Sequence, residues 1–296
     1  MAFRTIFSLV TFEWLRRPRP AVAVLRLTGV IGGFGPLRSG MSLNSVEGLI
    51  EQAFAQKHLK AVALVINSPG GSPSQSALIA NRVRDLAKEK EVPVLAFCED
   101  VAASGGYWLA CAADEIFVQP TSIIGAIGVI TSGFGFPELL DKIGVERRVY
   151  TAGERKSTLD PFRPENPEDV AHLKELQKEL HEVFKEMVRD RRGHRLKAEE
   201  AELFNGDFWA GGKAVELGLA DSLGELRQVL RDRFGKRVRL RRIQGPKRLL
   251  RRLGLGRGRA AAGLPIWGGG LPAPEDWAAG FVAAVEERAL WSRFGL

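Results

Sequence analysis

The chain has little of what builds disulfide scaffolds, metal centres or membrane spans. Its 296 residues include only two cysteines, Cys98 and Cys111. Both lie among apolar and small residues, which suits buried thiols in a reducing compartment and excludes a disulfide framework. The four histidines, His58, His172, His181 and His194, offer no i,i+4 pair, no H-E-x-x-H and no thiolate companions, so neither a metal nor another cofactor is expected. Carboxylates are scattered among basic residues in helix-like stretches, the pattern of solvated surface rather than of paired acid–base chemistry. Long apolar runs are missing too: no 18-residue stretch could cross a bilayer, so no transmembrane helix is expected. The N-terminal MAFRTIFSLVTFEWLRRPRP begins like a secretory leader. Its apolar run at 6–12, however, carries Ser8 and Thr11, stops at Glu13 and precedes no small-residue cleavage site. Residues 1–20 are therefore expected to be a helical segment, either docked on the protein or lying at an interface through Phe3, Ile6, Phe7, Leu9, Val10 and Trp14.

With 45% apolar residues the chain has enough material for a sizeable core. Its net charge of +8 is unevenly spread: residues 231–259 hold 13 Lys and Arg against one Asp, a net of +12. The rest is about −4, so the basic character belongs to a tail. Such a tail is either a solvated face or a surface for an anionic partner, lipid or nucleic acid; of the partners, a membrane surface met through 231–259 is the one carried forward, and no nucleic acid is expected. The implied location is cytoplasmic, peripheral at the inner face of the cell membrane.

From residue 21 short apolar runs alternate with amphipathic stretches: AVAVLRLTGVI, SLNSVEGLIEQAFAQ, AVALVINSPGG, SQSALIANRVRDLAKEK, VPVLAFC. This rhythm predicts an α/β fold with a largely parallel sheet. It continues through EIFVQP, IGVITSGF, the short helix PELLDKIG and VERRVYTAG. Val170, Leu173, Leu176, Leu180, Phe184, Met187 and Val188 then fit one long helix over about 167–192, with Asn166 and Pro167 as its start signal. Three regions are expected: an N-terminal helical segment at 1–20, the main domain at 21–235, and a basic, Gly/Pro-rich tail with a terminal helix at 236–296.

Two segments could carry chemistry. In NSPGG, residues 67–71, Gly70 and Gly71 follow an apolar strand and could turn backbone N–H groups outward towards a developing oxyanion. In EDVAASGGYW, Ser104 sits between Ala103 and Gly105-Gly106 at a helix start, open to a substrate and near positive dipole ends. On this stretch alone Ser104 serves equally well as a helix cap. Parallel strands bring both loops to one sheet edge, where open α/β sheets bind ligands. No histidine lies where it could serve Ser104 as base, which leaves lysine. Lys156, in YTAGERKSTLDPF, is one candidate, although an isolated loop lysine is ordinarily a surface charge.

Taken together and in order, NSPGG, DVAASGGYW and AGERKSxxxPF resemble the signal peptide peptidase A (SppA) family of serine peptidases. IGAIGVI at 124–130 and FWAGGKAVELGLADSLGE at 208–225 are similar to further segments of that family, so the resemblance covers about 21–235. It implies a ClpP/crotonase-like fold of repeated ββα units with a C-terminal helical region. Carried over by position, it makes Ser104 the nucleophile and Lys156 the general base. Gly71 and Gly105 become oxyanion-hole donors, with Gly70 shaping their turn. It further implies a homo-oligomer whose sites are shared between subunits, acting on signal peptides or other short or unfolded membrane-derived peptides. One departure stands out. Where the family usually carries a Ser or Thr that helps to hold the lysine, this chain has Ala126, and Thr121, Ser122 and Ser157 are the nearby hydroxyls. Two other readings use the same fold: an inactive membrane-associated scaffold, and a crotonase-type acyl-CoA enzyme, for which Glu99 and Asp100 are the only acids beside the loop.

Overall fold

The computed structural model describes residues 19–32, 40–245, 284–285 and 287–296. The expected N-terminal helix and the basic stretch beyond 245 lie outside these residues. Three parallel strands form the centre: β1 (Ala21–Thr28), β2 (Leu59–Ser68) and β3 (Val94–Ala103). Their runs of Val, Ile, Leu and Ala lack the alternation of a half-exposed sheet because both faces are covered. On one face α1 (Leu43–Phe54) packs Ile50 and Phe54, and α2 (Pro73–Lys90) packs Ile79 and Val83, against Leu25, Leu64 and Ala96. On the other, Val22, Ala63, Val65, Leu95 and Phe97 meet Phe117 and Leu230.

The sheet forks at β3, which decides where the site forms. Its first half, Leu95 to Cys98, pairs with β4 (Glu115–Val118), and its last three residues, Val101 to Ala103, pair with β5 (Ile123–Gly125). Between them the β2–β3 register is broken. The Asn67 side chain spans the irregularity, donating from Nδ2 to Asp100 Oδ2 at 2.7 Å and accepting from the Val101 N–H at 3.2 Å. An asparagine at the end of β2 thus re-aims the last residues of β3 towards the edge.

Two segments depart from expectation. IGVITSGF and VERRVYTAG are not strands; the strand near the first is β5, and the chain leaves the sheet at Ala126. Residues 131–166 instead form an arm whose helix α4, the helix Pro137–Ile143, buries none of its residues. The strand-like alternation reflects apolar side chains left in the open, among them Phe134, Ile143, Val145 and Tyr150. The long helix α5 (Pro167–Arg192) forms as expected, with Asn166 accepting from the Glu168 N–H, but only Phe184, Val188 and Arg192 on it are buried. The sheet also extends past residue 235, because the strand Arg239–Arg242 pairs in parallel with β1. Near the C-terminus, residues 284–285 and 287–292 are helical. Phe294 there is buried against Val101, Ala103 and Ala126 and meets Phe208 edge-on at 5.1 Å.

Candidate active site

Ser104 ends β3 and begins the seven-residue helix α3 (Gly105–Cys111), every residue of which is buried. Close packing selects its small residues: a Cβ on Gly105 would come within 2.4 Å of Ser76 Oγ, and one on Gly106 within 2.4 Å of the Ser68 carbonyl oxygen. Trp108 stacks on Phe184 of α5 at 4.9 Å, and the Tyr107 hydroxyl donates to the Leu219 carbonyl at 2.8 Å. The helix is therefore held from behind, and its N-terminus faces the sheet edge.

At that corner Ser104 adopts φ 52° and ψ −122°, a conformation that L-residues seldom take. Strain of this kind costs on the order of 1–3 kcal/mol and persists only where the surroundings enforce it. Here they do. The Ser104 N–H donates to the Gly125 carbonyl at 2.8 Å, and its carbonyl accepts from the Trp108 N–H at 3.0 Å. Ser104 stands at the N-cap position, yet its side chain makes no capping hydrogen bond. The cap reading fails: the hydroxyl is half-buried and, among the described residues, unbonded.

The NSPGG turn closes on the same corner. A Cβ on Gly70 would lie 2.8 Å from Ser104 Cβ and 2.9 Å from the Gly105 nitrogen, so only glycine permits the approach. The Gly70 N–H is taken by Ser68 Oγ at 3.2 Å, and the Gly70 carbonyl by the Ile31 N–H at 2.8 Å. Gly70 thus shapes the turn and has no N–H to offer a substrate. The N–H groups of Gly71 and Gly105 accept no such claim, since neither forms a hydrogen bond among the described residues. In a trans peptide the N–H points opposite to the preceding carbonyl. The Ile31 bond therefore turns the Gly71 N–H away from β1, and the helical bond to Trp108 turns the Gly105 N–H out of the helix.

Lys156 lies on the arm. It is exposed on a turn of the arm, its backbone N–H bonded to the Gly153 carbonyl at 3.2 Å, and its side chain forms no hydrogen bond or ion pair among the described residues. Among the described residues no hydrogen bond joins it to Ser104. Ala126 is buried beside the corner with φ 51°, its N–H held by the Asp207 carbonyl at 2.7 Å. Of the hydroxyls near it in sequence, Ser122 is committed elsewhere, donating to the Cys98 carbonyl at 3.1 Å and accepting from the Gln119 N–H at 2.9 Å. Thr121 is exposed, and Ser157 travels with Lys156 on the arm. The thiols do not compete as nucleophiles, because burial pushes Cys111 up to about 11 and Cys98 higher still. Sequence reasoning gave no role to Ser68 or Gly125, which hold the corner from below. The only signals for them were Ser68's place inside NSPGG and Gly125's inside IGAIGVI.

A free hydroxyl in an enforced turn, with two open amide donors close by, is a geometry suited to acyl transfer, and the topology around it is that of a ClpP/crotonase-like fold. Residues 86–236 match peptidase family S49. The chain belongs to that family. Relatives agree with the match. The chloroplastic serine protease SPPA of Arabidopsis thaliana is 32% identical over 217 residues, 72% of this chain and 32% of that protein. A Synechocystis protein named as a protease is 31% identical over 242 residues, covering 79% of this chain and 83% of that one. A Brucella abortus protein that carries the name Na(+)/H(+) antiporter NhaA is 50% identical over 280 residues, 93% of this chain but only 37% of its own length.

Proposed function

We propose that the chain is a serine endopeptidase with a Ser104–Lys156 dyad, assembled between neighbouring subunits and acting on signal peptides or other short, unfolded peptides of membrane origin. The observation that carries the reading is the unbonded Ser104 hydroxyl beside the unclaimed N–H groups of Gly71 and Gly105. Neutral Lys156 Nζ takes the Ser104 proton as Oγ attacks the scissile carbonyl carbon. The carbonyl π pair moves onto oxygen, where the two N–H groups stabilise it. Collapse of this intermediate expels the amine, protonated by the Lys156 ammonium, and leaves an acyl-serine; water activated by the same lysine then releases the acid and restores Ser104.

Sharing between subunits is supported by the exposed position of Lys156 and by the apolar side chains on its arm and on the outer half of α5: Phe134, Leu139, Ile143, Tyr150, Leu176 and Val183. An apolar surface of this extent marks a contact site. Membrane proximity is supported by the exposed Arg231, Lys236, Arg239 and Arg242 and by the related sequence within a Brucella chain named for an antiporter. Among the described residues no helix is long and apolar enough to cross a membrane.

The test is cleavage of an unfolded apolar peptide. Ser104→Ala and Lys156→Ala should each abolish it with the fold intact, and mixing the two variants after dissociation and reassembly should restore part of it. Cleavage that survives either substitution sinks the dyad; loss without restoration on mixing sinks the sharing.

A further inference from the structure

Ser68 is completely buried at the end of β2, one of few polar side chains so enclosed. Both capacities of its hydroxyl are used. It donates to the Gly29 carbonyl at 2.7 Å, just beyond β1, and accepts from the Gly70 N–H at 3.2 Å. Its backbone and Cβ form the wall against which Gly106 packs: a Cβ at 106 would lie 2.4 Å from the Ser68 carbonyl oxygen and 3.1 Å from Ser68 Cβ. One residue therefore touches the exit of β1, the Gly70–Gly71 turn and the first turn of α3. These are the segments whose relative placement sets the separation and aim of the Gly71 and Gly105 N–H groups.

We propose that Ser68 is a positioning residue for the oxyanion site. Its hydroxyl holds the Gly70 N–H inward, fixing the plane of the next peptide, so that the Gly71 N–H faces the Ser104 corner together with that of Gly105. The inference rests on the reading of Ser104 as nucleophile and of these two N–H groups as oxyanion donors. A turn with φ of 104° and 138° at consecutive glycines has wide conformational freedom, and glycine by itself does not choose the outward-facing state. On the Ile31 side the turn is anchored twice, by the Ile31 N–H at the Gly70 carbonyl and by the Ser72 N–H at the Ile31 carbonyl, both at 2.8 Å; Ser68 supplies the anchor at the Gly70 nitrogen, and without it the Gly70 end of the turn can rotate about the bridge to Ile31. The effect belongs to the transition state, since the carbonyl oxygen gains charge only there.

The experiment compares wild type, Ser68→Ala and Ser68→Cys in the full chain, using a peptide substrate and a peptide aldehyde whose hemiacetal with Ser104 places an oxyanion in the same site. Aldehyde inhibition of the wild type that disappears in Ser104→Ala secures the underlying reading; its absence counts against that reading. With the reading secured, Ser68→Ala is expected to lower kcat by about 10- to 100-fold with KM changed less than about two-fold, and to weaken the aldehyde by a similar factor. Ser68→Cys keeps the shape but accepts a hydrogen bond poorly, and is expected to fall between; it also carries the comparison should the alanine variant not fold. Unchanged aldehyde affinity in the folded variants, or a loss expressed in KM alone, overturns the proposal.

Discussion

Ser104 concentrates the residue-scale physics. Its positive φ is imposed by bonds at both its N–H and its carbonyl, so the strain is stored in the fold rather than relieved by it. Ser104→Gly removes the Cβ that resists this conformation and should raise stability by about 1 kcal/mol, whereas Ser104→Ala leaves the strain in place. Thermal unfolding of the two variants, both expected to be inactive, separates strain from chemistry; equal melting temperatures would contradict the strain. Gly106→Ala is expected to do the opposite, driving a methyl into the Ser68 carbonyl and lowering stability by about 2 kcal/mol or more in denaturant unfolding. Ser104 and the glycine turn were visible in the sequence because glycines and a small hydroxyl beside strand ends are informative by identity. The roles of Ser68 and Gly125 were not, because Ser68 bonds Gly29 and Gly125 bonds Ser104 across long stretches of chain, and the short bond from the Gly70 N–H to Ser68 exists only in the turn so held.

Among the elements, α5 behaves as two helices in one. Its first half carries apolar residues in a regular 3.6-residue period but leaves Leu176 and Leu180 exposed, while its last turns enter the core. The inner end is fastened by Arg192, whose Nη1 reaches Asp221 Oδ2 at 2.7 Å and whose Nη2 donates to the Gly218 carbonyl at 2.7 Å. Arg192→Ala leaves both acceptors without this partner in a dry site and should lower stability by about 3 kcal/mol, measured by denaturant unfolding. A second fastening is acid-sensitive. Hydrogen bonds from Arg189, then Lys185, hold Glu182 down at about 2, against an ordinary 4.5, and Arg189 also lowers Glu200. Because the folded-state values are depressed, this contribution is complete above pH 4.5 and fades as the pH falls towards 2. Arg189→Met should therefore flatten the pH dependence of the melting temperature across that window, with little change at pH 7 beyond the small effect of a surface pair. The helix itself was legible from its cap and period, but periodicity says which face is apolar and not what covers it.

For the whole molecule, the open question posed by the fold is the arm at 131–166. Its helix buries nothing, and a row of aromatic and aliphatic side chains along it is exposed, so little burial of its own holds its course. On the proposed assembly, replacing Leu139 and Ile143 together by serine should reduce particle mass in light scattering and peptide cleavage in parallel, with the subunit's own unfolding little altered. Loss of activity at unchanged mass would separate the arm from assembly. The two misplaced strands have related causes: in IGVITSGF only Ile127 enters the core while Ile130 and Phe134 lie in the open, and in VERRVYTAG Val145 and Tyr150 are exposed, so surface apolar side chains produce the pattern of a strand half-buried in a sheet.

Local period and residue identity were enough for the α/β order, the parallel central strands, the long capped helix and the meeting of NSPGG with Ser104 at one sheet edge. Folding added that Ser104 does not cap its helix, that Gly70 spends its N–H on Ser68, and that the sheet takes in Arg239–Arg242. The sheet pairing and the enforced Ser104 corner depend on hydrogen bonds between segments far apart in the chain, and no window of sequence contains both partners. The Ser68–Gly70 bond is local, but the turn that makes it is held by Gly29 and Ile31 from beyond β1, so the motif alone could not announce it.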